Sequence, residues 1–169
     1  VKQWRNAIDV GSNVGEWTRP LAKRSQQVIC FEPNPNFIEC FNKNIKESNV
    51  VLYPYGLSSH SHNAEQGTND THLNFVLGDT EPRDGDIECR ALDSFNFTDV
   101  DYIKIDVDGF EIPLLKGAKE TLLKNNPVIN IEMKQRKRPE TVRKCRDILH
   151  SLGYKRHLRT KSDEVWLKS

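Results

Sequence analysis

Ala7-Ile8-Asp9-Val10-Gly11-Ser12-Asn13-Val14-Gly15, followed downstream by Val28-Ile29-Cys30-Phe31-Glu32-Pro33, is the stretch that decides the fold of this chain. Asn6 to Val10 reads as a short buried strand. Gly11 and Gly15 after it supply a turn in which a chain without Cβ atoms bends tightly and lets a ligand approach the backbone. Val28 to Phe31 reads as a second buried strand that ends in Glu32. A carboxylate at that point is placed to accept hydrogen bonds from both hydroxyls of a ribose lying across the strand ends, as in a Rossmann-like sheet holding a nucleoside. Glycine turn and acid together predict a bound adenosyl group.

The spacing narrows which adenosyl compound that is. A dinucleotide fingerprint wants G-x-G-x-x-G, with its second and third glycines serving pyrophosphate approach and helix packing. Here position 13 is Asn and the pattern is D-x-G-x-x-x-G. A Walker phosphate loop is absent too, since no Gly-Lys-Ser/Thr follows the second glycine. The remaining common occupant is S-adenosylmethionine, whose amino-acid end needs an acid and free backbone donors. Asp9 is placed to serve its ammonium group, directly or through water.

The 169 residues suit a single domain, 1–169, with one core, and a 36% hydrophobic content is enough for a globular fold. A formal charge of +1 gives no global pull toward nucleic acid or a membrane. No apolar run approaches membrane-spanning length and the amino terminus has no signal-peptide core, so a soluble, cytoplasmic protein is expected. Cys30, Cys40, Cys89 and Cys145 are widely separated, without a C-x-x-C pair or a histidine spaced for zinc, which fits reduced thiols. The first strand begins almost at residue 1, so an upstream cap over it is expected to be lost or never present.

Further along, Asn34 is placed to cap a helix with Pro35 at its first position, and Phe37, Ile38, Phe41 and Ile45 fall on one face of it. Val50 to Tyr53 reads as a third strand. From Pro54 to Arg90 Gly, Asn, Asp, Ser and His dominate, with short alternating pieces at Thr71 to Leu77 and Asp86 to Ala91, which predicts a β-rich insertion over 54–91. Tyr102 to Val107 returns to a buried strand, Ile112 to Lys124 to a helix and Val128 to Met133 to a strand. The helix from Pro139 to Leu152 stops at Gly153. Tyr154 to Arg159 and Glu164 to Lys168 then form a terminal hairpin across Lys161-Ser162-Asp163. The pattern predicts an α/β fold with a mostly parallel, seven-stranded sheet and one reversed strand in the C-terminal hairpin, with ligands at its carboxyl edge.

A second constellation falls at that edge. Asp106, Asp108 and Glu111 follow one buried strand and Glu132 ends the next, so four carboxylates are expected to converge beside the ligand. Crowding of this kind raises the pKa of one member or demands a counter-charge, and a sulfonium cation supplies one. Asp108 and Glu111 equally suit the positive start of a helix, and Glu132 suits a pair with Lys134.

Taken together, the chain resembles the FkbM family of S-adenosylmethionine-dependent methyltransferases. The resemblance rests on Ile8-Asp9-Val10-Gly11-Ser12-Asn13-Val14-Gly15-Glu16, Phe31-Glu32-Pro33-Asn34-Pro35, Leu92-Asp93, Ile103-Lys104-Ile105-Asp106-Val107-Asp108-Gly109-Phe110-Glu111, Leu115-Lys116-Gly117-Ala118 and Pro127 to Glu132. These span most of the chain, and the I-K-I-D-V-x-G-x-E block is far more specific than the glycine turn. The resemblance implies a class I methyltransferase fold and O-methylation of a hydroxyl on a sugar or other small natural product. Within the matching motifs Asn13, Pro33 and Asp106 join Asp9, Gly11, Gly15 and Glu32 as expected cofactor contacts. Two departures stand out: Asp108 replaces the usual Glu, and Pro20 interrupts a stretch that is normally helical, which is tolerable only in a first turn.

The chemistry expected is in-line transfer of a methyl from sulfur to an acceptor oxygen, helped by proximity and by a base near the acceptor. Asp106 is the first candidate for that base or for a metal ligand organising the hydroxyl, with Glu132 and Glu111 behind it. His60, His62 and His72 are alternative bases, each also readable as an exposed loop residue. The acids are of a type that holds Mg²⁺ or Ca²⁺, but nothing in the sequence assigns them a metal. The basic run Lys134, Arg136, Lys137, Arg138, Arg143, Lys144 and Arg146 is a solvated face in the plainer reading. In the alternative it grips an anionic acceptor such as nucleic acid or an acidic glycan. A non-catalytic S-adenosylmethionine-binding module and an NAD-dependent oxidoreductase are the remaining alternatives, the last disfavoured by the glycine spacing.

Overall fold

A computed structural model describes residues 3–64, 87–134 and 138–169. In chain order the elements are β1 (Trp4–Val10), α1 (Thr18–Ala22), β2 (Ser25–Phe31), α2 (Pro35–Asn44), β3 (Val50–Tyr53), β4 (Gly56–Leu57), β5 (His62–Ala64) and β6 (Ile87–Arg90). A short 3-10 turn (Leu92–Phe95) leads to β7 (Val100–Ile105), α3 (Glu111–Gly117), α4 (Lys119–Asn125), β8 (Val128–Glu132), α5 (Pro139–Ser151), β9 (Tyr154–Arg159) and β10 (Asp163–Lys168).

The main sheet runs β3-β2-β1-β7-β8-β10-β9. β3, β2, β1, β7 and β8 are mutually parallel, while β10 pairs antiparallel with both β8 and β9. The expected mostly parallel seven-stranded sheet with one reversed strand is therefore what forms. β10 enters between β8 and β9 rather than adding at the edge.

Both faces of the sheet are apolar, which explains the near-continuous hydrophobic strands. Ile8, Val10, Ile29, Phe31, Ile103, Ile105, Ile129 and Ile131 point to one face and pack with residues of α3, α4 and α5. Ala7, Val28, Cys30 and Tyr102 point to the other and pack with Leu21, Ala22, Phe41 and Ile45. Adjacent residues divide between the two because the side-chain period of a strand is two.

Local signals set most boundaries. Asn34 accepts a hydrogen bond from the Asn36 N–H at 2.9 Å and Pro35 follows at the first helical position, an N-cap as read from the sequence. Pro20 falls in the first turn of the five-residue α1, where a missing N–H leaves no helical bond unmade. β2 starts earlier than expected, at Ser25. β7 ends earlier, at Ile105, leaving Asp106 and Val107 beyond the strand.

The helix expected from Ile112 to Lys124 is two helices, broken at Ala118. A Cβ on Gly117 would lie 2.0 Å from the Ser58 carbonyl oxygen, so the chain from β4 presses directly on this turn. The second helix is capped from a distance: Asp93 accepts hydrogen bonds from the Glu120 N–H at 3.0 Å and the Thr121 N–H at 2.7 Å.

The expected β-rich insertion is seen in its described part as a three-stranded sheet in the order β4-β6-β5. The piece Thr71 to Leu77, with His72, lies outside the described residues, as do Arg136 and Lys137. Among the described residues no helix is long and apolar enough to cross a membrane.

Candidate functional site

The carboxyl ends of β1, β2 and β7 are laced together by backbone bonds. The N–H groups of Gly11 and Ser12 both donate to the Phe31 carbonyl, at 3.0 and 3.1 Å, and the Asp106 N–H donates to the Val10 carbonyl at 3.0 Å. Gly11 has φ +75°, and a Cβ there would stand 1.9 Å from the Asp106 carbonyl oxygen. Only glycine permits this approach of β1 to the segment after β7.

Beyond this lacing opens a cavity whose empty space, open mouth included, is about 610 Å³. Gly11, Asn13, Glu32 and Pro33 line one side, Phe37, Tyr55 and Leu57 form an apolar wall, and Asp106, Asp108 and Phe110 stand opposite. Tyr55 is backed by Arg90, whose guanidinium carbon lies 3.9 Å from the ring centroid. A planar cation over an aromatic face stiffens that wall.

Glu32 is 4% exposed, and its carboxylate is gripped by backbone: Oε2 accepts from the Asn13 N–H and Oε1 from the Asn34 N–H, each at 2.9 Å. Burial raises its pKa, and these two bonds work against the rise. Each oxygen has a second lone pair available beyond its backbone bond, so the carboxylate is fixed in place yet able to accept twice more.

Asp9 stands elsewhere. It is 1% exposed, does not line the cavity, and accepts a 2.7 Å hydrogen bond from the Thr18 hydroxyl. Burial pushes its pKa up to about 6, with Thr18 and Lys104 acting against the shift and Asp106 adding to it. The reason for its position is strand geometry: Asp9 shares the face of Ala7, under α1, two residues before the turn. Gly15 also lies off the cavity, seated against the Ile45 side chain.

The four carboxylates do not converge on one cavity. Asp106 and Asp108 line the large one, whereas Glu111 and Glu132 line a smaller void behind it. A buried lysine that sequence reading passed over organises the first of them. Lys104, 1% exposed, has its ammonium 3.3 Å from Asp106 Oδ2 and 3.8 Å from Asp163 Oδ1, under the Trp17 ring. The signal was present in I-K-I-D: a cation two residues before Asp106 lies on the same face of the strand.

Lys134 joins the remaining acids. Its ammonium contacts Asp108 and lies 2.9 Å from Glu132; burial opposes its charge, but those two carboxylates hold its pKa above the ordinary range. The Glu132 carboxyl is raised by burial, is lowered by Lys134 and is raised again by the facing Asp106. Among the described residues no three acids, histidines or cysteines are grouped as a metal site.

The described part of the basic run is largely paired internally. Lys134 is held as above, Arg143 and Lys144 reach Glu140 and Asp147 along the helix, and Arg146 binds the buried Glu164. The rings of His60 and His62 lie tilted against one another, 4.8 Å between centroids, and do not line the cavity.

The sequence profile described as the methyltransferase FkbM domain matches residues 9–156. The hexuronic acid methyltransferase AglP of Haloferax volcanii is 30% identical over 130 residues, which are 72% of this chain and 53% of that protein. The chain thus spans about half the length of that curated relative. Among solved structures, the methyltransferase FkbM of Methylobacillus flagellatus KT superposes with a TM-score of 0.65 at 18% identity, over 96% of this chain and 43% of the other. The precorrin-6y C5,15-methyltransferase of Geobacter metallireducens GS-15 gives 0.60 at 13% identity, over 99% and 83%. At these identities the superpositions speak for the fold, while the profile spans β2, β3, β7 and β8 and both acidic motifs. This chain belongs to the FkbM methyltransferase family.

Proposed function

We propose that the protein transfers a methyl group from S-adenosylmethionine to a hydroxyl oxygen of a sugar or another small natural product. The observation that carries this reading is Glu32. It is an acceptor-only carboxylate at the end of β2, locked by two backbone N–H groups, on the border of an apolar-walled cavity. That donor set fits a nucleoside, with the ribose hydroxyls donating to Glu32 and the base packed between Phe37 and Leu57. Among the described residues the cavity offers no nest of backbone donors with a lysine for phosphate, which favours an adenosyl sulfonium over a dinucleotide. The hexuronic acid methyltransferase relative supports a sugar as the acceptor.

When bound, the sulfonium supplies an electrophilic methyl group. The protein's own part is to hold both partners and to exclude water, which provides the proximity advantage. Asp106 faces the cavity from the β7 side with Lys104 beneath it, and in this reading it receives the acceptor's proton or orients its hydroxyl. Glu132 stands behind Asp106 and Glu111 lies further back, so their action on the acceptor is indirect. Asp9 supports the turn from beneath.

The test is calorimetric titration of S-adenosylhomocysteine and NAD side by side into the wild type and Glu32→Ala, with labelled-methyl transfer measured for Asp106→Asn. We expect S-adenosylhomocysteine alone to bind, Glu32→Ala to weaken it by ~10–100-fold for two lost charge-assisted hydrogen bonds, and Asp106→Asn to bind it while losing turnover. Equal binding by Glu32→Ala would sink the reading.

A further inference from the structure

Trp17 is a large apolar side chain left in the open. Among the described residues it is the one exposed tryptophan, tyrosine or phenylalanine, at 46%. It occupies the N-cap of α1, where short polar side chains are favoured, and makes no capping bond there. The other two tryptophans are packed: Trp4 stacks on Tyr102 at 4.4 Å between ring centroids, and Trp166 is fully buried.

Lys104 holds the Trp17 ring in place. Its ammonium lies 5.3 Å from the ring centroid, a cation over an aromatic face. Because Lys104 is 1% exposed, that face of the indole looks into the protein, and solvent reaches the ring from its other face and its edge. The same ammonium is 3.3 Å from Asp106 Oδ2, and the Asp106 side chain is 37% exposed. Asp163 of β10 supplies a second carboxylate 3.8 Å from the ammonium. An open aromatic face and an open carboxylate are therefore anchored to one buried charge, close enough for a single six-membered ring to lie on the first and present a hydroxyl to the second. Asp106 lines the large cavity and Trp17 does not, so a molecule that fills the cavity leaves the indole free and meets its neighbour at Asp106.

The face of a pyranose is built of C–H bonds that carry a slight positive charge, while its hydroxyls point outward from the ring. An indole face is flat, broad and negative at its centre. Stacking one on the other covers the apolar face of the sugar and leaves its hydroxyls for polar partners. We propose that Trp17 is the platform on which the acceptor's sugar ring stacks, setting one hydroxyl of that ring against Asp106. The inference rests on the sugar-methylating reading and adds the residue that selects a closed ring over an open-chain polyol.

The experiment titrates methyl β-glucoside, methyl β-galactoside and the open-chain polyol glucitol into the full chain, first with saturating S-adenosylhomocysteine and then without it. Wild type, Trp17→Phe and Trp17→Leu are compared. At least one glycoside is expected to bind the wild type ~10-fold more tightly than glucitol does, and to protect tryptophan fluorescence from acrylamide quenching. Trp17→Leu keeps apolar bulk over Lys104 without an aromatic face and should weaken that glycoside ~10-fold, while Trp17→Phe should retain most of the affinity. S-adenosylhomocysteine affinity, which reports the fold, should stay within twofold in both variants. A glycoside that binds Trp17→Leu as well as it binds the wild type would overturn the role of Trp17 and leave the sugar reading standing; so would equal affinity for glycoside and glucitol. Binding of neither glycoside would overturn the inference together with the sugar reading beneath it. Failure of S-adenosylhomocysteine to bind is read separately: it strikes the methyl-donor reading, while the titrations into the free protein still decide the role of Trp17.

Discussion

Asp9 and Glu32 are both buried acids at the carboxyl rim, yet their surroundings give them opposite roles. Glu32 has two N–H donors and the cavity before it, while Asp9 has one hydroxyl donor and no opening. Because burial holds the Asp9 carboxyl at about 6 in the fold, above its unfolded value, the folded state keeps a proton that the unfolded chain has released. The linked stability is fully present below about pH 4 and is lost as pH rises through 6. A two-unit shift corresponds to ~3 kcal/mol at most. Asp9→Asn keeps an acceptor for Thr18 without the charge. Its melting temperature should match the wild type near pH 4 and exceed it by several degrees at pH 8; a difference that does not vary with pH would show that the site carries no such charge cost. Gly11 and Glu32 were legible in the sequence because backbone closure dictates each within a few residues. Asp9, Glu111 and Glu132 were misplaced because spacing gives distance along the chain, not the sheet face or void a carboxylate enters.

At the scale of elements, Asp93 shows what a motif can conceal. Leu92-Asp93 counted toward the family resemblance, and in the fold its carboxylate caps α4 from 27 residues away through the Glu120 and Thr121 N–H groups. It also places a negative charge at the positive end of that helix. Asp93→Ala should cost about 1–2 kcal/mol in urea unfolding with an unchanged slope, and Asp93→Asn less; a loss under ~0.3 kcal/mol for Asp93→Ala would mean that solvent replaces the cap at no cost. The same region explains a misread boundary. A stop signal does stand between Ile112 and Lys124, Gly117 after Lys116, and a Cβ on it would meet the Ser58 carbonyl oxygen, a contact distant in sequence. Strands β3 and β8, by contrast, were readable to within a residue of their ends, as short apolar runs.

At the scale of the whole molecule, the sheet is a parallel half that carries the rim and a hairpin half that completes the core. Trp166 of β10 is fully buried, with its ring edge-on to His150 at 5.0 Å, and Tyr154 of β9 donates to the Leu122 carbonyl at 3.2 Å. Trp166→Ala should therefore cost ~3–5 kcal/mol and shift unfolding as one transition by fluorescence and circular dichroism, because both halves share one apolar layer. Two separated transitions would show that the hairpin half is an independent unit. The placement of β10 between β8 and β9 has a consequence for biosynthesis. The strand that joins β9 to the sheet leaves the ribosome last, so until Asp163 to Lys168 have emerged the nascent chain has β8 as an open edge with unpaired amides. Among the described strands, this is where a stalled chain offers a ready edge to another polypeptide.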